Sequence, residues 1–125
     1  MDTLEFRKKL KLAQDLMSQE MFLEALNILK ELKAIEKNKD FDYNLTHKLY
    51  QLLSNSQSLY NQQVILKIVN KIIGSQKSIT FKELREILQK ITNLNIDMSV
   101  LRKEIELLIL RNMLNCKIEN DQLIF

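Results

Sequence analysis

Residues 78–125 read SITFKELREILQKITNLNIDMSVLRKEIELLILRNMLNCKIENDQLIF, and the fold turns on how this stretch is parsed. A short apolar run, Ile79-Thr80-Phe81, reads as a strand. Thr80 and Glu83 have the spacing of a capping box, which starts a helix over Phe81–Ile91. The polar segment from Thr92 to Asp97 reads as a turn, and Asp97 suits the cap of a second helix, Met98–Leu114. That helix places Leu101, Ile105, Leu108, Ile109 and Met113 toward a core, with Asn115 ending it in a left-handed conformation. Cys116–Glu119 and Gln122–Phe125 alternate apolar and polar residues around Asn120-Asp121, the signature of a two-residue hairpin. Strand, helix, turn, helix, hairpin is the order of a winged helix-turn-helix with a small C-terminal β-hairpin.

Upstream the pattern is helical. Leu4, Phe6, Leu10, Ala13, Leu16 and Met17 share one face of a helix over residues 4–17, capped by Asp2 with Glu5. Phe22, Ala25, Leu26, Leu29, Leu32 and Ile35 define a second helix over 19–37. The tight joint near Ser18 implies an antiparallel pair, similar to one tetratricopeptide unit, which needs a neighbour to cover its second face. Residues 36–42 read as a loop. A third helix follows over Tyr43–Leu53, and Ser54-Asn55-Ser56-Gln57-Ser58 reads as a linker. A fourth helix over Leu59–Ile73 ends where Gly74 suits a left-handed cap. The expected architecture is mainly α: a helical bundle lobe over 1–57 and a winged-helix lobe over 58–125.

Composition narrows the function. The 125 residues contain no proline and a single glycine, so no glycine-rich phosphate loop can form. One cysteine, Cys116, and one histidine, His47, make neither a disulfide nor a metal set. The carboxylates are interspersed with lysines, as on solvated helix faces, and no nucleophile has both a base and an orienting group nearby. No enzyme activity, cofactor or metal is expected. No leader or membrane-length apolar run is evident, which points to an intracellular protein, cytoplasmic or nuclear.

The net charge of +3 is concentrated upstream: residues 78–125 carry seven Lys/Arg and seven Asp/Glu. A duplex-binding module is normally basic, because phosphate neutralisation supplies most of its affinity. On a winged helix the reading helix would present Ser99, Arg102, Lys103 and Glu106. Glu104, Glu106, Glu119 and Asp121 oppose a polyanion there. The cluster Arg7, Lys8, Lys9 and Lys11 has no aromatic platform beside it and reads as a solvent face. Protein contact is therefore favoured. The expected interface is the C-terminal hairpin: Cys116, Lys117, Ile118, Glu119, Gln122, Leu123, Ile124 and Phe125. Its last strand is expected to offer unpaired backbone groups for strand addition. The alternative is nucleic-acid contact through Arg7, Lys8, Lys9, Lys11, Arg102, Lys103 and Lys117.

Residues 59–125 resemble the winged-helix half of the PCI domain, found in subunits of the proteasome lid, the COP9 signalosome and translation initiation factor three. The signalosome's seventh subunit is the nearest branch. Ile79-Thr80-Phe81 matches the family's strand-to-helix step, and Leu114-Asn115-Cys116-Lys117-Ile118-Glu119-Asn120 matches its helix-to-wing step. Cys116, Glu119 and Asn120 stand where the family usually has Gly, Asp and Gln. The resemblance implies a non-catalytic scaffold subunit that meets other subunits through its wing and helical lobe. Residues 5–77, with ALNILKELKAI at 25–35, also resemble the N-terminal docking domain of TFIIS, without its usual tryptophan.

Overall fold

The computed structural model describes residues 2–36 and 42–125. The expected loop at 36–42 falls mostly outside them. Among the described residues the protein has five helices and one small antiparallel sheet. The chain divides into two compact units, Met1–Tyr60 and Asn61–Phe125.

In the first unit, α1 (Thr3–Ser18) starts at Asp2, whose Oδ1 accepts from the Glu5 N–H at 2.8 Å. It stops at a left-handed Glu20, where the Glu20 and Met21 N–H groups bond back to Met17 and Leu16. That paired closure is a Schellman motif, and it delays α2 to Phe22–Glu36. Phe6, Leu10 and Ala13 pack with Ala25, Leu29 and Leu32 from α2 and with Leu45, Leu49 and Leu52 from α3.

The structure corrects the expected linker. Residues 54–58 lie inside one 31-residue helix, α3 (Tyr43–Ile73). Ser, Asn and Gln each disfavour a helix by at most about 0.7 kcal/mol relative to Ala. Apolar anchors on both sides outweigh that sum, and neither Pro nor Gly intervenes. Ser56, Asn61 and Gln62 are buried rather than solvated. Gly74 does not take the left-handed conformation expected of it; no glycine has positive φ.

In the second unit, Ile65, Ile68, Val69 and Ile72 of α3 share a core with the elements that follow. β1 (Ser78–Thr80) leads into α4 (Phe81–Thr92), with both halves of the Thr80–Glu83 capping box present. α5 runs only over Met98–Leu110, four residues short of the expected end. A second Schellman closure ends it, with Asn112, not Asn115, left-handed. Met113 is therefore off the helix and half exposed, and Leu114 takes the buried place. β2 (Lys117–Glu119) and β3 (Gln122–Ile124) complete the unit.

The sheet order is β1-β3-β2. Ile79 pairs with Leu123, and Leu123 with Ile118, so three apolar side chains form one row on the core face. The opposite face carries Thr80, Gln122 and Glu119 in one row and Ser78, Ile124 and Lys117 in the next. The last strand is thus the central strand, paired on both sides. The expectation that it offers free backbone groups is overturned, and Leu123 is fully buried. No helix among the described residues is long and apolar enough to cross a membrane.

Candidate docking edge

The C-terminal unit presents its open edge at β2. Along β3 the hydrogen bonds alternate sides. The Asp121 carbonyl accepts from the Phe81 N–H, and the Phe125 N–H donates to the Lys77 carbonyl, each at 2.9 Å. Asp121, Leu123 and Phe125 therefore bond toward β1, while Gln122 and Ile124 bond toward β2. Ile118 stands opposite Leu123, so its own N–H and C=O turn out of the sheet. At the other edge the Thr80 N–H, which also turns outward, is directed to Glu83 Oε1 at 3.5 Å. The capping box thus engages one of the two outward donors of β1, those of Ser78 and Thr80, while the outward groups of Ile118 on β2 lie beside an apolar groove.

Beside β2 runs an open groove of about 630 Å³, lined by Glu106, Ile109, Leu110 and residues Cys116 to Glu119. Leu110 is 77% exposed. Its exposure follows from its place on α5: two residues past buried Leu108 it sits on the opposite face, in line with exposed Glu106 and Lys103. Sequence reasoning did not single out Leu110, although helical periodicity already sets it opposite Leu101, Ile105 and Leu108.

Arg102 holds the hairpin in place. Its Nη1 donates to the Asn120 carbonyl at 3.2 Å and lies 3.8 Å from Asp121 Oδ1. Its Nε lies 3.5 Å from Glu106 Oε1, and its Cζ sits 5.3 Å from the centre of the Phe81 ring. Asn120 is left-handed, so the turn carbonyl points where the guanidinium can reach it.

Of the expected interface residues, Lys117, Glu119 and Gln122 are exposed, Cys116, Ile118, Ile124 and Phe125 are half-buried, and Leu123 is inaccessible. Burial pushes the Cys116 thiol above its ordinary range, which leaves it a poor nucleophile. Among the alternative contacts, Lys103 is exposed and Arg102 is engaged by its own unit. Arg7, Lys8 and Lys11 are exposed on α1, Lys9 is half-buried, and all four belong to the first unit. His47 is exposed and stacks on Tyr43. In the same unit Tyr50 donates to Glu36, and that bond raises the phenol's pKa. Among the described residues no group of acidic, His and Cys side chains could hold a metal.

Glu104 differs from expectation. It is 2% exposed, not a surface acid of the reading face. Gln62 Nε2 approaches Glu104 Oε1 at 3.5 Å, and Arg111 Nη1 donates to Gln62 Oε1 at 2.8 Å. The network ties the end of α5 to α3. A second open groove, of about 500 Å³, runs along α4 past Lys82, Arg85, Glu86, Gln89, Lys90 and Asn95. Its charges are of both signs.

Comparison of the chain with family models, with curated proteins and with solved structures returns no match.

Proposed function

We propose that this chain is a non-catalytic protein-interaction module, and that its C-terminal unit is a winged helix docking another protein along β2. The observation that carries this reading is the open β2 edge beside an apolar groove ending in an exposed Leu110. An open strand edge supplies main-chain hydrogen bonds to an incoming strand, and an adjacent apolar groove supplies side-chain specificity. The element order β1-α4-α5-β2-β3 and the sheet order β1-β3-β2 suit a winged helix. A scaffold subunit of the PCI type is the form of this function we favour.

Nucleic-acid contact is the lesser reading. Arg102, the side chain best placed to read a base, is held by Asn120, Glu106 and Asp121. Exposed acids at 106, 119 and 121 surround the same face. Catalysis has less support still, since Cys116 has its thiol pushed up by burial and His47 belongs to the other unit.

The test is affinity capture from the protein's own cell extract, with wild type beside Leu110→Glu. The wild type is expected to retain partner proteins in stoichiometric amount, and the variant to lose them while keeping its far-UV dichroism. Equal retention by both would move the docking surface away from β2. Retention of no protein by either, the chain's own endogenous copy included, would remove the docking reading.

A further inference from the structure

We propose that the partner of the β2 edge is a second copy of this chain, paired antiparallel about a two-fold axis through Ile118. The inference rests on the docking reading above and names its occupant.

Three features of β2 agree on it. The first is the backbone. Because Ile118 faces the non-bonded position opposite Leu123, its N–H and C=O both point out of the sheet. Two copies centred on Ile118 can exchange both bonds, which is the hydrogen-bonded pair of an antiparallel ladder. The second feature is charge. In that register Lys117 of each copy stands opposite Glu119 of the other. Both side chains are exposed and lie on the sheet face away from the core. The strand Lys-Ile-Glu is therefore complementary to itself when reversed. A two-fold interface demands this, because one patch must satisfy its own image. A Lys-Ile-Lys or Glu-Ile-Glu strand would repel itself.

The third feature is closure. A two-fold axis through Ile118 uses the β2 edge of both copies at once, leaving neither β2 free. Pairing through β2 then stops at two copies with a continuous six-stranded sheet. The apolar groove formed by Ile109, Leu110, Cys116 and Ile118 lies along the same edge, where a second copy would shield it.

The experiment is sedimentation equilibrium of the full chain from micromolar to near-millimolar concentration, with charge reversals at the two strand positions. Wild type is expected to show a monomer–dimer equilibrium. Lys117→Glu and Glu119→Lys each set two like-charged pairs across the axis and are expected to weaken self-association about tenfold. Mixing the two single variants restores both opposite-charge pairs and is expected to restore association. The double variant, Lys117→Glu with Glu119→Lys, is expected to dimerise as wild type does. Hydrogen exchange gives an independent readout: the Ile118 amide should become protected as concentration rises. A wild type that stays monomeric throughout overturns the proposal. So does a dimer that ignores the single reversals or is not restored by mixing. A monomeric wild type that still retains a different protein through Leu110 would overturn the self-pairing alone and leave the docking reading standing.

Discussion

The guanidinium of Arg102 ties α5 to the hairpin turn through the Asn120 carbonyl, and each of its ion pairs is solvent-exposed. Such pairs contribute little to stability, about 0–1 kcal/mol. Their effect is geometric, because they hold the turn against Phe81. Positive φ shows the same separation between residue type and use. The left-handed residues are Glu20, Asn93, Asn112 and Asn120, while the lone glycine is not among them. A β-carbon built on Gly74 meets nothing within 4 Å. Gly74→Ala therefore restricts the unfolded chain without straining the folded one. Urea unfolding should show a gain of about 0.4–1 kcal/mol. A loss of stability would mean that position 74 needs the freedom of glycine after all.

At the scale of elements, α3 is the decisive case. Its middle, Ser54-Asn55-Ser56-Gln57-Ser58, has the composition of a linker and the conformation of a helix. The two descriptions make different predictions for Asn55→Pro. In a linker the substitution would be nearly neutral. Inside a continuous helix it removes a hydrogen bond and clashes with the carbonyl four residues back, at a cost of about 3 kcal/mol. Far-UV dichroism and thermal unfolding of that variant should show lost helicity and a lowered midpoint. An unchanged midpoint would restore the linker. The hairpin illustrates a similar point. Its turn at Asn120-Asp121 was legible from residue type, and so was the alternation on either side. Which strand became central was not, because β1 lies about forty residues upstream and its pairing with β3 is a long-range choice.

For the whole molecule, charge decides what the surface can hold. Residues 78–125 are balanced at seven positive and seven negative charges, and the exposed acids Glu106, Glu119 and Asp121 lie on and around the hairpin. Titration with duplex DNA at several salt concentrations should show weak binding with a shallow salt dependence, unaffected by Arg102→Glu with Lys103→Glu. A steep dependence that the double reversal abolishes would establish a phosphate-contacting surface and reverse the preference for protein.

The amino-acid sequence by itself determined the helices with clear apolar periodicity, the Thr80–Glu83 capping box, the hairpin turn and the neutral charge of the last third. These depend on neighbours within a few residues, where steric and hydrogen-bonding rules act directly. Tertiary structure alone decided that α3 continues through a polar run, since burial of Ser56, Asn61 and Gln62 is a property of packing. It also drew Glu104 into the core beside Gln62 and ended α5 early enough to put Leu114, not Met113, in the buried place. The proposed docking edge belongs to this second group. Its residues could be named in advance, but β2 became the open edge only when β1 crossed to β3 and buried Leu123 between them. Sheet order is set by which strands can bury a shared apolar row, and no local pattern records that choice.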